Sequence, residues 1–126
     1  MIRSIGRIDA GLLKTEYGNL QTNEVIITEE RQKHIMACHP DDFKYFERYS
    51  SETVSNPDYI IKDIKNVGTV FMVKRLPDDN INIVVRLALD TDKSGLKNSV
   101  MTSYRLRDKN LKKLIMKNEL LYKAAE

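Results

Sequence analysis

The sequence predicts one α+β domain, in which N-terminal helices pack on a roughly four-stranded antiparallel sheet that is followed by a C-terminal helix. A chain of 126 residues with 41% hydrophobic and 31% charged residues fits a single globular domain. Helix signals dominate residues 28 to 50, whereas β-rich runs separated by turn residues dominate residues 59 to 107. Segregation of helices from strands is typical of α+β folds.

Residues 1–23 are expected to form an N-terminal extension, and residues 24–126 the core of the domain. Within the extension, the segment from Ile2 to Ile8 fits a short strand, and the segment from Gly11 to Leu20 fits a turn or brief helix. The chain then enters an apolar run that ends at Thr28.

Two helices are predicted next. Thr28 can cap a helix from Glu29 to Cys38, because its hydroxyl can accept a hydrogen bond from a free amide of the first turn. Pro40 suits the first position of a second helix, which we expect to reach about Tyr49. His39, at the junction, is expected to be a cap or surface residue.

The strands follow from residue 59 onward. A short strand is predicted over 59–61 and longer ones over 69–74, 81–89 and 98–107, with loop residues at 76–80. Alternation in the strand 98–107 would place Val100, Thr102 and Tyr104 on one face and Ser103 and Arg105 on the other. Asp108 is expected to cap a last helix over 109–117.

Several classes of protein are excluded by composition. The single Cys38 cannot form an internal disulfide or a CxxC motif, and no Gly-rich phosphate loop, GxSxG or HExxH motif is present. We therefore expect no metal and no cofactor. No apolar run approaches 18 residues, so we expect no membrane partner and a cytoplasmic location, in the cell of origin or after delivery into a target cell.

Basic residues are concentrated in the second half of the chain. Residues 1–60 contain 7 Lys and Arg against 10 Asp and Glu, whereas residues 61–126 contain 14 against 8. The segment from Lys97 to Lys117 contains seven basic residues and only one acidic residue, Asp108. A cationic surface of this kind is typical of polyanion binding.

The polar strand 98–107 is the candidate site. The pattern of residues in this strand is also typical of an exposed edge strand, on which polar residues protect against aggregation. Alternatively, its hydroxyls, amide and arginines line an RNA groove, since such groups contact phosphates. The residues expected to bind RNA are Arg31, Lys74, Arg86, Asn98, Arg105 and Arg107. For Lys74 and Arg86 the alternative is that both are solvated strand charges.

His34 is the candidate partner for this strand. It shares the helical stripe of Arg31, Ile35 and Cys38, which is expected to face the sheet. A histidine at such a position can be a hydrogen-bonded structural residue, or it can transfer protons at neutral pH.

Four segments taken together resemble the phage-associated Barnase/EndoU/colicin/RelE-like (BECR) nuclease families; they are Thr28–Ile35, His39–Pro40, Asn56–Ile60 and Lys97–Tyr104. The resemblance covers about Val25 to Lys123. It implies helices followed by a four-stranded antiparallel sheet, and a metal-independent ribonuclease of toxins and mobile elements. His34 matches the helix histidine of that pattern, and Asn98, Ser99, Thr102 and Tyr104 match its strand.

The sequence therefore predicts a metal-independent endoribonuclease that cleaves RNA by attack of the 2′-OH on the phosphodiester. The catalytic set is His34 for proton transfer, Tyr104 as proton donor, and Ser99 and Thr102 to orient the phosphate. RNA is the expected partner, with tRNA a candidate substrate and a cognate inhibitor or immunity protein a second candidate partner. The alternatives are a non-catalytic RNA-binding or adaptor module and a structural protein of a mobile element.

Overall fold

The computed structural model describes residues 2–125, and their strands form one mixed seven-stranded sheet. The strands are β1 (Ile2–Arg7), β2 (Glu24–Thr28), β3 (Tyr59–Lys62), β4 (Thr69–Arg75), β5 (Asn80–Arg86), β6 (Asn98–Leu106) and β7 (Glu119–Lys123). They lie in the order β1-β2-β6-β5-β4-β3-β7. β2 and β6 are parallel, and the other neighbours are antiparallel.

The helices lie between these strands along the chain. After a 3-10 turn at Ala10–Leu12, they are α1 (Lys14–Tyr17), α2 (Glu29–Cys38), α3 (Pro40–Ser55) and α4 (Asp108–Lys117). The predicted cap is confirmed, because Oγ1 of Thr28 accepts a hydrogen bond of 3.2 Å from the backbone N–H of Arg31. Pro40 does begin α3. Within residues 2–125, no helix is long and apolar enough to cross a membrane.

Helices cover both faces of the sheet. On one face, Ile35 of α2 and Phe46 of α3 join a core with Met72, Ile83 and Val85 of the central strands. On the other face, Leu111 of α4 packs in a second cluster with Tyr59, Ile61, Val73 and Leu106. The molecule therefore has three layers, with the sheet in the middle.

The predicted architecture is wrong, although the structure is α+β. The sheet is mixed and has seven strands, rather than about four antiparallel ones. α2 and α3 lie in mid-chain after two strands, and α4 is followed by β7. Val25, Ile26 and Ile27 are all buried, so β2 lacks the alternation that marks a half-exposed strand. The expectation that Asp108 caps the last helix is also wrong, because α4 has no side-chain cap.

A bulge in β6 changes which side chains face which layer. Val85 pairs with Val100 and Val84 pairs with Thr102, so Met101 is an extra residue in β6. Upstream of the bulge Val100 lies in the core under α2 and α3. Downstream of it, Thr102 shares a face with Val84 and not with Val100. The alternation predicted for this strand is therefore wrong across Met101.

Candidate active site

The second half of β6 is an open strand edge. β2 pairs with β6 only at Asn98 and Ser99, after which the chain of β2 continues into α2. In the part of the chain that the structure describes, no strand pairs with β6 beyond Ser99 on this side. α2 and α3 lie against β6 instead. Side chains from the junction of these helices therefore meet side chains of the strand.

Four side chains meet at this place, and we call them the His39 cluster: His39, Asp42, Tyr104 and Arg105. The ring of His39 lies 5.7 Å from the ring of Tyr104, centroid to centroid. Nδ1 of His39 lies 3.9 Å from Oδ2 of Asp42. Oδ1 of Asp42 accepts a hydrogen bond of 2.6 Å from Nε of Arg105. A histidine, a carboxylate, a phenol and a guanidinium are thus linked in one chain of contacts.

The local sequence explains the position of His39. A residue that precedes proline is disfavoured in the α conformation, and His39 accordingly leaves the helix with φ −138° and ψ 60°. The chain turns between α2 and α3 at this residue. Asp42 follows within the first turn of α3, where its carboxylate also interacts favourably with the helix dipole. The His-Pro-Asp-Asp segment thus holds the imidazole and a carboxylate on the same side.

The His39 cluster is open to solvent and electrostatically polarised. The side chains of His39 and Arg105 are 36% and 34% exposed, whereas that of Asp42 is 16% exposed. The hydrogen bond to Asp42 raises the pKa of Arg105, so the guanidinium stays charged. Imidazole can accept or donate a proton near neutral pH, and guanidinium is suited to binding phosphate. A phosphodiester placed here would meet both groups.

Of the four predicted catalytic residues, Tyr104 lies in the His39 cluster and the other three lie elsewhere. His34 is exposed on α2, where its Nδ1 is 3.7 Å from Sγ of Cys38 one turn later. Oγ of Ser99 donates a hydrogen bond of 3.3 Å to the carbonyl of Lys97. Oγ1 of Thr102 is buried and has no hydrogen-bond partner among residues 2–125.

Asn98, a predicted RNA-binding residue, is buried and fully engaged with the backbone. Its Oδ1 accepts a hydrogen bond of 2.8 Å from the N–H of Ala88. Its Nδ2 donates to the carbonyls of Thr22 and Glu24 at 2.8 and 2.9 Å. These contacts join the start of β6 to β2 and to the segment after β5, which is a structural role.

Lys74 and Arg86 also make contacts within the fold. Nζ of Lys74 donates a hydrogen bond of 2.9 Å to the carbonyl of Asn56, and the side chain is only 14% exposed. Nη1 of Arg86 donates to the carbonyl of Leu87 at 2.6 Å, and its Nη2 lies 3.3 Å from Asp92. Both cations therefore hold loops in place.

Arg31 and Arg107 occupy separate positions. Arg31 is half-buried in the first turn of α2, and Arg107 is exposed between β6 and α4. Arg107 also lines a cleft of about 500 Å³ beside the loop between β4 and β5. Asp78 of this loop lines that cleft and also a groove of about 300 Å³ on α3. We call it the Tyr groove, and its lining residues are Lys44, Tyr45, Arg48, Tyr49 and Asp78.

The exposed side of α4 carries unpaired positive charge. Its four lysines, which we call the lysine face, are Lys109, Lys112, Lys113 and Lys117. None of them has an ion pair with another described residue, and Asp108, the one carboxylate of the helix, accepts a hydrogen bond of 2.9 Å from Asn80. Like charges at i, i+4 cost about 0.2–0.5 kcal/mol per pair, so this helix is less stable without a bound anion.

The sequence interpretation gave no site role to Asp42 or to His39, which was expected to be a cap or surface residue. The signal was the proline after His39, which fixes the histidine at a helix junction beside two aspartates. Among the described residues, no group of three or more His, Cys, Asp and Glu side chains is arranged to hold a metal ion. Comparisons with protein-family models, with curated proteins and with solved structures found no match.

Proposed function

We propose that the protein is a metal-independent endoribonuclease whose active centre is the His39 cluster. The observation that carries the proposal is the approach of His39 to Tyr104 at 5.7 Å, with Arg105 held beside them by Asp42. These groups supply a proton acceptor, a hydroxyl donor and a fixed positive charge on an accessible strand edge. RNA cleavage through the 2′-OH needs these three functions.

In the proposed reaction, His39 takes the proton of the ribose 2′-OH, and the resulting oxygen attacks the adjacent phosphorus. The bond between phosphorus and the 5′-oxygen breaks, and Tyr104 supplies a proton to that leaving oxygen. Arg105 stabilises the additional negative charge on the phosphoryl oxygens. The products are a 2′,3′-cyclic phosphate and a free 5′-OH.

The setting that this activity suggests is that of a toxin or mobile-element nuclease. The substrate would be a cellular RNA such as tRNA, in the cytoplasm of the producing cell or of a target cell. A cell that carries such an enzyme needs a cognate inhibitor or immunity protein. An acidic surface on that inhibitor would complement Arg105 and the lysine face.

The direct test is cleavage of labelled tRNA and rRNA by the purified chain in the presence of EDTA. We expect cleavage, products that end in a 2′,3′-cyclic phosphate, and protection by a 2′-deoxy sugar at the cut site. Intact RNA, or equal cleavage of the 2′-deoxy substrate, would contradict the proposal. A double variant, His39→Ala with Tyr104→Phe, controls for contaminating nuclease, and circular dichroism checks that it keeps the fold.

A second candidate function is non-catalytic RNA binding, and the lysine face favours it. Four exposed lysines without carboxylate partners among the described residues attract phosphates whether or not a bond is cut. This function predicts salt-dependent binding of intact RNA in EDTA and no cyclic phosphate. The cleavage assay therefore separates the two candidates.

A further inference from the structure

Four planar side chains form a ladder that leads away from the His39 cluster. The guanidinium carbon of Arg105 lies 4.8 Å from the ring centroid of Tyr45. The rings of Tyr45 and Tyr49 are stacked at 6.2 Å with an angle of 27° between their planes. The guanidinium carbon of Arg48 lies 5.3 Å from the ring centroid of Tyr49. The ladder therefore begins at the proposed active centre and ends at an exposed arginine on α3.

Helix periodicity explains how the sequence builds this ladder. Tyr45 and Tyr49 are four residues apart, as are Lys44 and Arg48, so each pair lies on one side of α3. Both tyrosines contact the hydrophobic core with part of their rings, which holds the planes in position. Lys44 and Arg48 are exposed next to them. Rigid aromatic rings with flanking cations are a common platform for unstacked RNA bases.

The Tyr groove gives this platform room for a ligand. Its volume is about 300 Å³, and it is lined by both tyrosines, by Lys44 and Arg48, and by Asp78 from the loop after β4. A carboxylate repels phosphate but accepts hydrogen bonds from the N–H groups of a base edge. Cations on α3 and the carboxylate on the opposite loop therefore suit the two chemically different sides of one nucleotide.

We propose that the Tyr groove binds the nucleotide next to the scissile phosphate, with its base unstacked from the RNA and placed on the ring of Tyr49, where it displaces the guanidinium of Arg48. Lys44 and Arg48 contact the phosphate of that nucleotide, and Asp78 accepts a hydrogen bond from its base. The inference rests on the proposed function, because it takes Arg105 as the place of the scissile phosphate. It specifies single-stranded or locally melted RNA as the substrate, since a paired base cannot enter the groove.

The test measures binding without cleavage. The probe is a fully 2′-O-methylated, single-stranded oligonucleotide taken from the RNA of the cleavage assay, with 2-aminopurine placed in turn at each position, so its design requires no known cut site. We expect the fluorescence of one position to be quenched on binding, because stacking on a ring quenches this base. Tyr49→Leu, which removes a ring outside the His39 cluster, should weaken binding about tenfold and abolish the quenching.

Four further measurements make the result decisive. Lys44→Gln with Arg48→Gln should weaken binding and keep the quenching, because the rings remain. Tyr122→Leu, which also removes a tyrosine packed against the core, should bind like the wild type. An oligonucleotide with an abasic sugar at the quenched position should bind the wild type about tenfold more weakly. Tyr49→Leu should weaken that abasic probe no further.

Failure of this inference is distinguishable from failure of the proposed function. Quenching and tight binding by a wild-type protein that cuts no RNA would support the groove and remove the catalytic proposal. Normal binding and quenching by Tyr49→Leu, in a wild-type protein that does cut RNA, would overturn the groove and leave catalysis standing. Equal affinity for the abasic and the complete oligonucleotide would also overturn it. Circular dichroism of each variant confirms that the fold is kept.

Discussion

Asp42 in the first turn of α3 accepts a hydrogen bond of 2.6 Å from Nε of Arg105, near the end of β6. This contact ties the helix layer to the open strand edge and sets the position of a permanent positive charge. Asp42 also lies 3.9 Å from Nδ1 of His39, so one carboxylate is hydrogen-bonded to the cation of the proposed centre and lies close to its imidazole. The predictions below concern that centre and the residues around it.

The two histidines should differ sharply in their importance for cleavage. Among the described residues, His34 has a hydrogen-bond partner only in Cys38 of its own helix, whereas His39 contacts Tyr104, so His39→Ala should lower the cleavage rate by about 10²- to 10⁴-fold. His34→Ala should cleave like the wild type. Single-turnover cleavage of one labelled RNA by both variants is the measurement. The reverse ranking would assign proton transfer to His34, as the sequence alone predicts.

Thr102→Val should stabilise the protein by about 1 kcal/mol, because it replaces a buried hydroxyl that has no partner among the described residues with a methyl group of similar shape. Urea unfolding gives the change in stability. The cleavage rate should stay the same, since the hydroxyl does not reach the solvent. A loss of cleavage without a loss of stability would instead support the catalytic role predicted for Thr102.

Neutralising the lysine face should weaken RNA binding and flatten its salt dependence. The lysines of α4 span about 12 Å along the helix axis, which is enough to reach about three phosphates of one strand. A quadruple Lys→Gln variant should therefore reduce the slope of log K against log salt by about 2. The matched control neutralises four other exposed lysines: Lys14, Lys65, Lys93 and Lys123. An equal change in both variants would mean that net charge alone matters.

Asn98→Ala should destabilise the fold rather than weaken an RNA contact. The substitution leaves the N–H of Ala88 and the carbonyls of Thr22 and Glu24 without their partner, which should cost about 2–3 kcal/mol in the free energy of unfolding. Urea unfolding measures this cost. RNA affinity per folded molecule should stay at the wild-type value, and a selective loss of affinity would restore the predicted binding role.

Tyr17 should make the protein sensitive to alkali. Burial, with Glu16 as the next cause, raises the pKa of this phenol to about 12 from an ordinary value of 10.0. The unfolded chain therefore ionises Tyr17 first, so its contribution to stability is complete below pH 10 and is lost as the pH rises towards 12. In Tyr17→Phe, the free energy of unfolding should fall less steeply with rising pH above 10 than in the wild type. Unfolding monitored by circular dichroism measures this. An identical alkaline profile would contradict this assignment.

The elements with strong local signals were predictable, whereas the order of the strands was not. Thr28 and Pro40 mark their helix starts through cap chemistry, which depends only on neighbouring residues. The entry of β1 into the sheet beside β2, and of β7 beside β3, depends on pairing between distant segments. β7 is also short and partly exposed, so no alternation distinguishes it from a loop.

The strand that carries the candidate site was predictable, but the histidine that meets this strand was not. Tyr104 and Arg105 were expected from the polar character of β6, and both lie in the His39 cluster. A helical stripe favoured His34, but α2 turns that residue to the solvent and buries Ile35 instead. The approach of His39 depends on where β2 leaves β6. That point is set by tertiary packing and has no signature in the local sequence.

The extra residue at Met101 gives one strand two independent registers. Before it, Asn98 fixes the strand to β2, and after it, pairing of Arg105 with Ile81 fixes the strand to β5. Without the bulge, the same residues would alternate regularly from Val100 onward, so Thr102 and Tyr104 would share the face of Val100 and Ser103 and Arg105 would turn to the other face. The chemistry of this edge therefore depends on one extra residue in the strand as much as on the kinds of side chain it carries.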